Sequence, residues 1–375
     1  MKTWWLIGAL LFPFGMFGVK DRPGTILTRV EVGGQSVVIK AATEASLPPV
    51  PTSDEGFDCN NALFWDGGTL YAFSSHEHPY RSSGPDLENL ERPSTRVSFD
   101  NEEGWENGGR WIEAVHKVPG GRLYMWYHHE PKGLFGGWLG GLTAPRVGQM
   151  VSDDNGLHWR DQGTVIEAPQ DSQIEESTFN RYFGGGYGDF SVIADTNSEY
   201  LYFFISSYHK DPARQGVAVA RMKLADLDEP EGKVFFWREG RWEEPGLGGE
   251  PTPVFPAQAD WHAEGASAYW GPSVHWNTAI KKYVLLMNKT KNGNWDQDGV
   301  HLAIAPRLDD PSSWSAPKKI LDTDKWYPQV IGVSRGARET DRLADQTARL
   351  FVKGKSTWTI EFQAQAAIPA PAPAG

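Results

Sequence analysis

The chain has 375 residues, a formal net charge of −12, one cysteine, and an aromatic content of 13% that includes 17 Trp. That much negative charge repels nucleic-acid phosphates and anionic headgroups, so neither nucleic acid nor a membrane surface is an expected partner, and a neutral or cationic ligand fits better. With Cys59 alone, no intrachain disulfide can form.

Met1 and Lys2 open the chain with a positive charge, and Trp4 to Gly18 follows as an uncharged, mostly apolar run broken by Pro13. The run is too short to span a bilayer as a helix and reads as a signal peptide over residues 1–18. A secreted, periplasmic or envelope-exposed location is therefore expected. Residues 19–52 carry two strand-like runs, Ile26 to Val32 and Ser36 to Ala42.

From 53 to 362 a loose unit recurs: an apolar strand, a short turn of small or polar residues, and an aromatic strand. The first copy is Asp58 to Trp65 (DCNNALFW), then Thr69 to Ser75 (TLYAFSS). The second is Trp111 to Val118 (WIEAVHKV), then Arg122 to His129 (RLYMWYHH). The third is Gly188 to Asp195 (GDFSVIAD), then Tyr200 to His209 (YLYFFISSYH). The fourth is Gly271 to Thr278 (GPSVHWNT), then Lys282 to Thr290 (KYVLLMNKT). A fifth, weaker copy starts at Tyr327 and resumes at Ala348. The second to fourth copies continue into a further strand pair, and no long amphipathic helical stretch stands out. The period and the four antiparallel strands per unit predict an all-β chain folded as a five-bladed β-propeller. Residues 19–52 either supply most of a sixth blade or join the last blade and close the ring, removing a free sheet edge. Residues 363–375 form a Pro/Ala tail with nothing to bury, expected to be disordered.

One motif is specific. Ser152 to Trp159 (SDDNGLHW) fits the Asp-box pattern Ser-x-Asp-x-Gly-x-x-Trp, between the third and fourth strands of the second unit. Ser152 and Asp154 can bond the turn backbone, Gly156 can take positive φ, and Trp159 can fold between strands. This is a structural lock and nominates no catalytic group.

Each unit's first strand should line the central channel, with its opening residues facing a pocket at one end. Polar groups cluster at those positions: Asp58, Asn60 and Asn61; Glu113 beside Trp111; Asp189 after a glycine-rich approach; Ser273 and His275 after Trp270; and Gln329 after Trp326 and Tyr327. His76 with Arg81, and His128 with His129 and Glu130, end the neighbouring strands. Three carboxylates on one axis cannot all ionise freely, so at least one pKa should rise, as acid/base cleavage of a glycosidic bond requires. The candidate catalytic residues are thus Asp58, Glu113 and Asp189. Asn60, Asn61, His76, Arg81, Trp111, His128, His129, Trp270, Ser273, His275 and Gln329 are candidate substrate contacts, and Trp138, Trp261 and Trp326 are further stacking platforms. No spacing of His, Asp or Cys matches a metal motif, so neither metal nor cofactor is expected.

The order of units, with acids opening the first three inner strands, resembles the five-bladed propeller glycosidases of the arabinanase/xylosidase and invertase/levansucrase groups. The resemblance rests on architecture and placement over residues 53–362. It implies a first-blade base or nucleophile (Asp58), a second-blade acid that orients substrate or tunes pKa (Glu113), and a third-blade proton donor (Asp189). The chain departs from that pattern: Glu and Asp are exchanged between the second and third units, so the donor is either Glu113 or Asp189, and the usual Asp-Pro is absent at Asp58. The Asp-box is similar to that of sialidases, but no arginine motif accompanies it; Arg81, Arg146 and Arg181 would have to converge. The leading expectation is a glycoside hydrolase, with inversion favoured because the acids stand on different blades. The alternatives are a non-catalytic carbohydrate-binding or interaction propeller and a sialidase-like hydrolase.

Overall fold

The computed structural model describes residues 21–54, 56–100, 108–131, 142–175 and 178–364. The expected export signal, the tail beyond Ala364 and Trp138 lie outside these residues. The described residues form strands, turns and short 3-10 segments, and none of their helices is long and apolar enough to cross a membrane.

The strands assemble into five sheets, the blades of a propeller. The inner strands, in blade order, are Leu63–Asp66, Arg110–Lys117, Tyr187–Ala194, Tyr269–Asn277 and Pro328–Gly332. Blades 1 to 4 then step outward through consecutive antiparallel strands. Short segments add at the edges: Ser98–Phe99 and Leu343–Ala344 pair parallel to blades 2 and 4, and Phe255–Pro256 pairs antiparallel to blade 3. Blade 5 takes its outer strands from the other end of the chain: Lys355–Ala364 pairs with Gln35–Ser46, which pairs with Ile26–Val32. The N-terminal strands thus complete the fifth blade, and there is no sixth sheet among the described residues.

A blade is covered on both faces, so its central strands are apolar nearly throughout rather than alternating. Leu123–His129 is buried at every position, and Tyr200–Ser207 at all but the first. The core lies between blades, one cluster to each neighbouring pair. Phe64 and Phe73 meet Met125 and Trp159; Trp126 packs edge-on against Phe203 at 5.4 Å; Phe204 meets Leu285; Leu286 meets Val330 and Leu350. A fifth cluster, with Leu63 and Leu70 against Ile331 and Phe351, seals blade 5 to blade 1. Five such interfaces close the ring.

Candidate active site

The inner strands run in the same sense around the channel, and their opening ends are irregular. In blade 2 the pairing slips between Ile112 and Ala114, which leaves Glu113 as a bulge. In blade 3 it slips between Gly188 and Phe190, at Asp189. In blade 4 it slips between Trp270 and Ser273. A bulge re-aims a side chain that a regular pleat would point elsewhere. Asp189 has φ 39°, and Tyr327, Arg181 and Trp295 have φ 58°, 61° and 66°. Positive φ on side chains this large is strained and collects at functional sites.

Asp58, Trp111, His128, Glu130, Asp189 and Tyr327 line a cavity of about 410 Å³, and Tyr182, Phe183, Trp270, Trp295 and Trp326 add an aromatic wall. Asn180 and Arg181 complete the rim. The rings support one another: Phe183 stacks on Tyr208 at 4.2 Å, and Trp270 meets Trp326 and Tyr327 edge-on.

Behind this wall the acids are organised around His128. Its Nδ1 accepts the Asp189 N–H at 3.2 Å and lies 3.1 Å from Glu113 Oε1. Burial pushes the Glu113 pKa well up, despite the Phe190 N–H donated to Oε2 at 2.7 Å. The ring's close approach depends on glycine: a Cβ on Gly188 would sit 2.7 Å from His128 Nε2. Nε2 makes no hydrogen bond but is 3.3 Å from Glu130 Oε1.

Asp189 and Glu130 are each anchored by a tyrosine. Tyr208 donates to Asp189 Oδ2, and Tyr182 to Glu130 Oε2, both at 2.5 Å. Burial raises Asp189 to about 7; the charges of Glu113 and Asp58 add to it, and His128 and Tyr208 oppose it. Burial likewise raises Glu130 to about 7, against His128 and Tyr182 and with Asp189 and Asp58 adding. Glu113, His128 and Asp189 each present an atom within 4.8 Å of the others, close enough to hold a cation. Those groups are already committed to one another, to the Asp189 and Phe190 N–H groups, and to Tyr208.

Asp58, Trp111, His128, Asp189 and Trp270 therefore meet at one cavity, with Trp326 and Tyr327 beside them. The side chain of Glu113 is fully buried and touches the cavity only through His128. The other sequence candidates stand elsewhere, and the amide side chains among them bond backbone groups of their own or other blades rather than the pocket. Gln329 exchanges bonds with the Asn61 backbone, Asn61 also donates to the Phe73 carbonyl, and Asn60 donates to the Pro272 carbonyl. Ser273 is buried in its strand. His275 lies deep in the channel with neither ring nitrogen hydrogen-bonded; burial lowers its pKa to about 3. His129 accepts from Arg146, and His76 ends its strand outside the cavity lining. Trp261 packs behind Trp270 and Trp295.

Arg81 donates to the Asp154 and Asn155 carbonyls, and Arg146 pairs with Glu167, so only Arg181 of the three arginines reaches the cavity. The cavity also uses Tyr182, Phe183, Trp295 and the anchoring Tyr208. None of these opens an inner strand. The signal that marks them is the aromatic run around Arg181-Tyr-Phe, which continues no strand alternation.

No family model and no curated protein matches the chain. Among solved structures it is similar to an exo-β-1,3-galactanase from Phanerochaete chrysosporium, at 13% identity and a TM-score of 0.48 over 85% of this chain and 64% of that one. It is similar to a native Bacillus subtilis arabinanase at 13% and 0.47, over 86% and 95% of the two chains. A putative exo-β-1,3-galactanase from Bifidobacterium bifidum gives 14% and 0.49, over 84% and 91%. The chain spans less than two thirds of the Phanerochaete galactanase.

Proposed function

We propose that the protein is a glycoside hydrolase in which Asp189 protonates the leaving oxygen and Asp58 activates water or attacks the anomeric carbon. The observation that carries this reading is that Asp58 and Asp189, from two different blades, line one aromatic cavity. Asp189 suits the acid role because it keeps its proton up to about pH 7, where a donor is most effective. Glu113 is too deeply buried to touch substrate. It serves as a positioning residue, holding His128 and, through it, the Asp189 backbone. The partly exposed rings of Trp295 and Trp326 on the cavity wall suit stacking on sugar rings. Inversion is the stereochemical outcome we favour, which proton NMR of the first-formed anomer decides. We also read residues 1–18 as an export signal, which the mass of the mature N-terminus checks.

The test pairs a hydrolysis assay with calorimetric binding, on a glycan panel that includes β-1,3-galactan and arabinan. Asp189→Asn and Asp58→Asn should each abolish turnover while sugar binding persists. If both amide variants hydrolyse like the parent, the catalytic assignment is wrong. If the parent binds a glycan and never cleaves it, the protein is a binding propeller.

A further inference from the structure

The two mouths of the channel have opposite chemistry. The inner strands leave the acidic pocket and end at a second cavity of about 420 Å³ on the far face, to which all five blades contribute. Its lining includes His116, Lys117, Arg338 and Arg342 beside the indoles of Trp65 and Trp276. Such a concentration of cations is unexpected in a chain of net charge −12.

These cations are incompletely used. Arg342 donates once, to the Leu63 carbonyl at 3.3 Å, and its buried Nε makes no hydrogen bond. The exposed Arg338 side chain has no partner among the described residues, and the half-buried His116 ring makes no hydrogen bond there. Burial and the Arg342 charge lower His116 to about 4, so its imidazole is neutral and offers one N–H. Lys117 is held by Asn155 at 2.7 Å and by Asp66 at 4.0 Å. Of the acids nearby, Asp195, the one carboxylate in the lining, accepts the Glu199 and Tyr200 N–H groups. Asp341 accepts the Leu63 N–H and pairs loosely with Arg342 at 3.9 Å, and Glu339 accepts the Ser334 N–H.

We propose that this far mouth is a second ligand site that takes an acidic sugar, its carboxylate or sulfate held by Arg342, Arg338 and His116 and its ring laid against Trp65 and Trp276. Guanidinium groups match oxyanions through charge-assisted bonds, and indoles match the apolar face of a pyranose. The assignment stands independently of the hydrolase reading, since it shares no residue with the acidic cavity.

The experiment is calorimetry on the full chain with three probes: a trigalacturonate, a sulfated galactose trisaccharide, and neutral galactotriose, with sodium sulfate as the free-anion control. At least one acidic trisaccharide should bind. Arg338→Ala or Trp65→Ala should weaken that binding about tenfold, as loss of one charge-assisted or stacking contact implies. Arg342→Gln should act in the same direction, and circular dichroism checks its fold because it faces buried Asp341. Asp189→Asn should leave the binding intact. Acidic-sugar binding that is lost in Asp189→Asn, or unchanged in both Arg338→Ala and Trp65→Ala, overturns the proposal. So does sulfate binding as tightly as the acidic sugar, or failure of either acidic probe to bind.

Discussion

At the scale of single residues the site is a problem in protonation. Four acids, Asp58, Glu113, Glu130 and Asp189, influence one another's ionisation around a single histidine, and burial lifts three of them. If protonated Asp189 is the donor, kcat/KM should fall about tenfold per pH unit above about 7. A pH–rate profile with no alkaline limb near that value would exclude it. Tyr208 offers a finer check. Its hydroxyl bonds the charged form and holds the Asp189 pKa down, so Tyr208→Phe should move the limb to higher pH. A merely structural role for Tyr208 would lower the active fraction and leave the limb in place. The acids themselves are legible in the sequence, because Asp58, Glu113 and Asp189 open successive repeats. Their anchors are not: Tyr182 comes from a loop outside the repeats, Tyr208 reads only as the end of an aromatic strand, and the burial of Glu113 depends on how neighbouring blades pack.

Local pattern decides the elements well wherever a strand is sandwiched, and poorly wherever a loop supplies the contact. The inner strand of blade 3 is readable from GDFSVIAD alone, whereas Gln329 reads as a pocket residue and instead bonds Asn61 across the ring closure. The turn from Ser152 to Trp159 shows how tightly one hairpin can be determined. Ser152 Oγ donates to Asp154 and accepts the Gly156 N–H, Asp154 accepts the Leu157 and His158 N–H groups, and Trp159 Nε1 donates to the Gly156 carbonyl. Gly156 has φ 84°, and a Cβ there would meet the Phe73 ring at 2.5 Å, so the turn also fastens blade 2 to blade 1. Asp154→Ala should cost about 1–2 kcal/mol in a denaturant melt. Turnover in the folded fraction should persist, because the turn lies at the face opposite the acidic cavity. Loss of turnover without a change in melting would place the chemistry elsewhere.

For the molecule as a whole, buried acids make stability depend on pH in an uncommon direction. Asp189 and Glu130 at about 7, and Asp341 raised by burial to about 6, bind protons more tightly folded than unfolded. Their contribution is complete below the usual carboxylate value of about 4 and is lost as pH rises through 6 to 7. Asp154 has the opposite sign. Burial works against its ionisation, but bonds from the His158 N–H and ring, Ser152 and the Leu157 N–H outweigh it and hold the carboxyl at about 2, so its contribution is complete above about 4 and is lost as pH falls through about 2. The melting temperature should therefore drop between pH 5 and pH 8, and Asp341→Asn should flatten that drop. A melting temperature that rises over the same interval would contradict the buried acids. The fifth blade adds a constraint of timing. Lys40 and Glu361 form an ion pair across 321 residues, in strands that adjoin along their length. During vectorial synthesis the ribosome releases Ile26–Val32 and Gln35–Ser46 early and Lys355–Ala364 last, so Gln35–Ser46 can pair with Ile26–Val32 along one edge while its other edge waits open until four blades are made. Until the late strand arrives, the nascent chain presents an adhesive edge to other nascent chains, and the ring can be completed only after translation has passed its final strand.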